Sequence, residues 1–145
     1  MTPLIQFISS EEVRTVRHPV LRTNKPYESC FFAEDSLSST FHIGIYTTML
    51  IGVVTFIQAN TPLENDTLQY QLRGMAVLPD FQHKGFGAQL INHGIKHIQK
   101  LGGKIIWCNS REIAKEFYNK QGFEVIGSPF DIPKIGKHYC MRKKL

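Results

Sequence analysis

The sequence predicts a mixed β-sheet with helices on its faces, an α/β or α+β domain spanning 1–145. Runs of β-rich and helical-period residues alternate in the order β-α-β-β-β-α-β-α-β-β. Glycine or proline falls at most of the boundaries between them. No internal repeat, low-complexity tract or long linker divides the 145 residues, a length that suits one compact domain with a real core.

Each element has its own signal. Leu4 to Ile8 is a short apolar strand. Ser9-Ser10-Glu11-Glu12 then reads as a helix start, because Ser9 can cap exposed amides and Glu12 can reach back to it. Val13, Val16, Val20 and Leu21 recur at helical spacing, and Pro19 limits the regularity of that helix. Phe41 to Tyr46 and Leu50 to Ile57 are β-rich and close enough to form a hairpin. Thr67 to Val77 is a third strand, with Gly74 as a bulge or point of close approach. Leu78-Pro79-Asp80 breaks it. From Gly85 to Leu101 the apolar residues Leu90, Ile91, Ile95, Ile98 and Leu101 form one helical face, stopped by Gly102-Gly103. Lys104 to Cys108 is a buried strand, Ser110 to Lys120 a helix ended by Gly122, and Phe123 to Ile126 and Lys137 to Met141 the last two strands.

Composition narrows the function classes. Apolar residues make up 42% and charged residues 20%, ordinary for a globular protein. No apolar run approaches the roughly 18 residues of a membrane span. The start, Met1 to Phe7, lacks the basic and apolar regions of a signal peptide, so a cytoplasmic location is expected. Cys30, Cys108 and Cys140 are widely spaced and imply neither a disulfide framework nor a zinc site. The net charge of +5 favours an anionic partner. The basic residues are dispersed apart from Arg142-Lys143-Lys144, so no nucleic-acid partner is expected.

The most informative segment runs from Met75 to Ala88. A strand enters a loop whose glycines open a helix. The first amides of a helix lack internal partners and carry partial positive charge. Gly85 and Gly87 let the backbone approach a bulky anion, which suits a pyrophosphate. Gln82 and Lys84 can add side-chain donors. The P-loop ending in Lys-Ser/Thr is absent. The dinucleotide fingerprint G-x-G-x-x-G fits poorly, because Leu90 stands at its third glycine. The pattern Q/R-x-x-G-x-G/A is met in full by Gln82-His83-Lys84-Gly85-Phe86-Gly87.

This segment resembles the acyl-CoA-binding motif of the GNAT superfamily of N-acetyltransferases. Ala114 to Phe123 resembles that family's later motif A-x-x-[LF]-Y-x-x-x-G-F. Arg17 to Arg22, Arg73-Gly74-Met75, Trp107-Cys108-Asn109 and Ile132-Pro133 with Gly136 and His138 resemble a small single-domain subset of it. The resemblance implies a mainly antiparallel sheet with a V-shaped split between its two central parallel strands, and an enzyme using acetyl-CoA without a metal. Backbone groups of Met75, Ala76 and Val77 would hold the pantetheine arm and thioester. Gln82, His83, Lys84, Gly85, Phe86, Gly87 and Ala88 would surround the pyrophosphate. It also implies transfer to a primary amine of a small molecule, or alternatively of a protein or peptide, by a monomer or homodimer. A non-catalytic acyl-CoA-binding module is a further alternative, because the central strand lacks the glutamate that many relatives use as a base.

Tyr118 stands at the family's tyrosine position and would act as general acid on the leaving thiolate; the alternative is a core aromatic beside Phe117. Glu64 and Asp66 lie in a loop upstream of the central strand. Asn109 either contacts the cofactor or caps the following helix with Glu112. Arg17, Arg22, Arg73, Arg111 and His138 are candidates for the acceptor side. Arg73 on a central strand suggests an acceptor with a carboxylate or phosphate, or else an internal salt bridge to Glu12, Glu28 or Asp131. His93 and His97 sit four apart on a helix, a chelating spacing, but without a third ligand they read as a solvated face and no metal is expected. Cys108 reads as a small buried hydrophobe rather than a nucleophile.

Overall fold

A computed structural model describes residues 2–65 and 68–145. Thr67, expected to begin the third strand, and Asp66, expected in the loop before it, lie outside the described residues. The chain forms two compact units, residues 1–57 with 72–97, and residues 58–71 with 98–145.

In the first unit, strands β1 (Leu4–Ile8), β2 (Phe41–Tyr46) and β3 (Leu50–Gln58) form an antiparallel meander. The end of β4 (Gln69–Val77) lies beside β3 in the strand order. Helix α1 (Ser10–Leu21) begins with the expected reciprocal cap. The Glu12 amide donates to Ser9 Oγ at 3.1 Å, and the Ser9 amide donates to Glu12 Oε1 at 3.0 Å. The helix runs through Pro19 to Leu21. Its Val13 and Val16 pack with Val53 and Ala76.

Helix α2 (Phe86–Lys100) approaches the sheet closely at two glycines. A Cβ on Gly94 would lie 2.3 Å from the Phe56 ring, and one on Gly52 would lie 3.2 Å from Leu90 and 3.3 Å from Val77. These contacts leave no room for side chains, so α2 packs closely against β3. His93 and His97, expected on a solvated face, instead pack near Phe7, and His97 also meets Phe41 at 4.6 Å. The rings find apolar partners because β1 and β2 present aromatic residues to that side of α2.

In the second unit, the beginning of β4 pairs in parallel with β5 (Ile105–Arg111), from Gln69↔Ile105 to Gln71↔Trp107. Strand β8 (Gly136–Lys144) pairs antiparallel with β5, with β6 (Glu124–Val125) and with β7 (Phe130–Ile132). Trp107 packs with Ile105 and Cys140, and its indole N–H donates to the Ala59 carbonyl at 2.8 Å. Helix α3 (Lys115–Lys120) follows a 3-10 turn at Glu112–Ala114.

Two expectations change here. The helix expected from Ser110 begins only at Lys115, because β5 continues as a strand and keeps its ladder with β8 out to Arg111↔His138. Strand β7 was not anticipated. Its Phe130 and Asp131 are exposed and Ile132 is half-buried, and the segment is a strand through its pairing with β8.

Candidate active site

The loop after β4 is built by backbone geometry. The Leu78 amide donates to the Ile51 carbonyl at 2.8 Å, tying the exit of β4 to β3. Pro79–Phe81 forms one 3-10 turn. The Gln82 side-chain amide then donates to the Val77 carbonyl at 2.8 Å. Gln82 therefore braces the loop, and one of its two amide hydrogens is already engaged.

Next, His83 (φ 61°) and Gly85 (φ 85°) both adopt left-handed backbone. Such alternation turns successive amides toward a common side, the geometry of an anion nest. The helical ladder starts with the Gln89 amide donating to Gly85 at 3.1 Å. The amides of Phe86, Gly87 and Ala88 precede that first bond and belong to the positive end of α2. A Cβ on Gly85 would meet nothing within 4 Å, so open space lies beside these amides. Lys84 is exposed, with its ammonium 5.9 Å from the Phe81 ring. Upstream, Met75 and Val77 are partly exposed and Ala76 is buried.

Another part of this unit is a guanidinium corner that sequence reading only half found. Arg17 is fully buried. It donates to Asp35 through both nitrogens at 2.8 and 3.1 Å, to the Cys30 carbonyl at 2.7 Å and to Thr55 Oγ1 at 2.8 Å. These bonds make Arg17 a framework residue and not an acceptor ligand. Arg22 bonds backbone carbonyls of Ser29 and Leu21. Arg73 pairs with Glu34 at 3.3 Å, and not with Glu12, Glu28 or Asp131. Phe32 lies under two guanidinium groups, 3.8 Å from Arg17 and 4.1 Å from Arg73. Gly74 has φ 60°, and a Cβ there would lie 2.9 Å from Arg17 Nε, which confirms it as a point of close approach. Phe32, Glu34, Asp35, His42 and Thr55 were not singled out from sequence. The signal for Phe32, Glu34 and Asp35 was the aromatic and acidic stretch Phe31-Phe32-Ala33-Glu34-Asp35 between helix and strand, and His42 and Thr55 lay within the β-rich runs with none.

In the second unit, Tyr118 is buried between Phe117 at 5.1 Å and Phe123 at 5.5 Å. Burial, and secondarily nearby Cys108, push its phenol above the ordinary tyrosine range, so it holds its proton. Cys108 is itself buried, and desolvation pushes its thiol up, which disfavours the thiolate a nucleophile needs.

Asn109 is exposed on β5 opposite Cys140 and caps no helix; the turn beginning at Glu112 has Arg111 as its cap residue. Arg111 is exposed and lies opposite His138 in the ladder. His138 is buried, with Nδ1 2.8 Å from the Gly136 carbonyl. A carbonyl only accepts, so Nδ1 carries the hydrogen of this bond. Glu64 is paired with Arg142, which also binds Glu124 at 2.8 Å, so it is not a free carboxylate. Among the described residues, no group of three or more His, Cys, Asp or Glu could hold a metal ion, and no helix is long and apolar enough to cross a membrane.

Comparison with known proteins agrees with this geometry. Residues 6–123 match the model of the acetyltransferase (GNAT) family. An uncharacterized N-acetyltransferase of Bacillus subtilis (strain 168), YitI, is 37% identical over 97% of this chain and 95% of that protein. A putative N-acetyltransferase from Lactobacillus plantarum superposes with a TM-score of 0.82 at 16% identity, covering 100% of this chain and 99% of its own. An aminoglycoside 6'-N-acetyltransferase, solved with coenzyme A, gives a TM-score of 0.78 at 14% identity, covering 97% and 96%. These last two likenesses concern the fold. The family match across most of the chain and the relative spanning nearly all of it supply the rest: the protein belongs to the acetyltransferase (GNAT) family and is an acyl-CoA-dependent N-acyltransferase.

Proposed function

We propose that the chain moves an acetyl group from acetyl-CoA to a primary amine of a small-molecule acceptor by direct attack. The observation that carries this reading is the left-handed backbone at His83 and Gly85, which brings the first amides of α2 beside open space. Those amides suit a pyrophosphate, with Lys84 adding charge. Backbone groups of Met75, Ala76 and Val77 would hold the pantetheine arm and thioester, and Asn109 would add a polar contact to the cofactor.

The chemistry sets the remaining roles. A neutral amine attacks the thioester carbonyl carbon, the carbon–sulfur bond breaks, and an amide forms. The amine gives up its proton to water, and the departing thiolate takes one. Burial keeps the Tyr118 phenol protonated, so it has a hydrogen to give to the departing sulfur, although burial also makes it a weaker acid; the role of proton donor comes from its place in the family's motif. In Tyr118→Phe the ring and its packing remain, so binding of acetyl-CoA should persist while kcat falls about 10²-fold or more, the span of a general acid. An unchanged kcat would reduce Tyr118 to a core aromatic.

The first test is thermal denaturation with acetyl-CoA, CoA, NAD and ATP, followed by CoA release with small amines and with peptides. A ligand at about 100 times its Kd stabilises the native state by about 2.7 kcal/mol. A rise in Tm with the CoA species alone, and CoA release with small amines, are the expected results. No shift with either CoA species would overturn the donor site. Release with peptides alone would move the acceptor to protein.

A further inference from the structure

We propose that Arg73 recognises a carboxylate on the acceptor, so that the acylated amine belongs to a molecule that also carries a carboxylate group. The inference rests on the small-amine reading above and names the class of amine.

The corner around Arg73 is short of negative charge. Arg14, Arg17 and Arg73 face Glu34 and Asp35. Asp35 is consumed: Arg17 holds both its oxygens, and Arg14 and the Phe32 amide share one of them. Nε of Arg14 and Nε of Arg17 are buried with no partner among the described residues. His42, between Asp35 and Thr55, is held neutral by burial and adds no charge. Three cations against two anions leave an excess of one positive charge, and Arg73 is the most exposed of the three, at 35% against 16% for Arg14 and 1% for Arg17.

Arg73 is also oriented and underused. Phe32 supports the face of its guanidinium at 4.1 Å, which fixes the plane of the fork. Its ion pair among the described residues is a single contact from Nη1 to Oε1 of Glu34, a side chain that is 40% exposed. Exposed single pairs contribute little and are readily exchanged. The remaining donors have the fork geometry that a carboxylate accepts with two parallel bonds. The position suits the reaction proposed above. Arg73 precedes Met75 by two residues on β4, about 7 Å or less of strand. An acceptor amine at the thioester could therefore have its own carboxylate at Arg73.

The test compares matched acceptors. CoA release is measured with the common amino acids, β-alanine and γ-aminobutyrate, with their amides, and with phosphoethanolamine. The amide forms have less basic amines, so intrinsic reactivity favours them at neutral pH. The expected result is nonetheless a preference of about 10-fold or more in kcat/KM for the best acid over its amide. That ratio should collapse toward one in Arg73→Ala and recover in part in Arg73→Lys. Phe32→Leu should raise KM for the acid more than it lowers kcat. Retention of the Tm rise with acetyl-CoA checks that each variant is folded.

Equal use of acids and amides, a ratio unmoved in Arg73→Ala, or preference for phosphoethanolamine would overturn the carboxylate proposal and leave amine acylation standing. Acetyl-CoA binding without CoA release to any amine would overturn the amine reading, and the proposal with it.

Discussion

The loop Gln82–Ala88 and the guanidinium corner around Phe32 belong to the same unit and are served by the same strand, yet they are built oppositely. The loop works with main chain. Its donors are amides, its shape comes from two left-handed residues, and apart from the half-buried Phe86 its side chains are small or exposed. The corner works with side chains drawn from α1, β3, β4 and the 27–36 segment, locked by buried hydrogen bonds. A main-chain site tolerates changes in most side chains but not in backbone conformation. A side-chain site is the reverse, and each member holds another.

That contrast breaks first at Gly85. A Cβ there meets nothing in the protein, so Gly85→Val should leave the fold standing, at a strain of about 1–2 kcal/mol for a left-handed L-residue. The same Cβ enters the space beside the amides. Affinity for CoA should fall about 100-fold or more, beyond what strain alone explains, measured by titration calorimetry. Binding close to wild type would mean that these amides do not cradle the ligand.

The corner should fail through stability instead. Arg17→Ala takes from Asp35 its two-nitrogen partner, leaving it only Arg14 and the Phe32 amide, and takes a donor from Thr55 Oγ1 and the Cys30 carbonyl in a buried site; removing one partner of such a pair costs about 3–5 kcal/mol. Urea denaturation reads it. The triple variant Arg14→Met, Arg17→Met and Asp35→Leu, which removes the three charges joined there together, should recover much of the loss. A cost below about 1 kcal/mol for Arg17→Ala would show the corner to be solvated and the contrast false.

The two regions also differ in how far sequence reveals them, for the same reason. A main-chain site is written in consecutive residues, so Gln82-His83-Lys84-Gly85-Phe86-Gly87 marked the loop and placed the start of α2 to within a residue. The cap at Ser9 and the hairpin strands were legible because local patterns fix them. The corner joins residues as far apart as Arg17 and Thr55, and nothing local links them. The cap reading of Asn109, which the structure overturns, and the missed strand at Phe130–Ile132 share this origin. In both, pairing with β8 overrides what the local residues suggest. The pairing of Glu64 with Arg142 likewise joins distant segments.

The smallest effect concerns His42, and it sharpens the comparison because the loop has no counterpart to it. Arg17 Nη2 donates to Thr55 Oγ1, which leaves the Thr55 hydrogen for His42 Nδ1; Nε2–H then donates to the Asp35 carbonyl at 3.2 Å. Burial holds the ring neutral and lowers its pKa, opposed by Asp35 and assisted by Arg17 and Arg14. In the unfolded chain the same ring takes its proton near pH 6.5. As pH falls from about 6.5 toward the lowered native value, the unfolded state binds the extra proton first, so stability is lost on acidification. Asp35, also lowered in the native state, withdraws stability in the same direction but only below about pH 4, where an unfolded aspartate protonates. The His42 contribution cannot exceed about 1.4 kcal/mol per pH unit, the limit for one proton. Urea denaturation of wild type and His42→Gln between pH 7 and pH 5 isolates it, since the other histidines are common to both. The variant should be less stable at pH 7 and flatter with pH. Parallel curves would mean that His42 titrates in the native state as it does in the unfolded chain, and that the corner is open to water on that side.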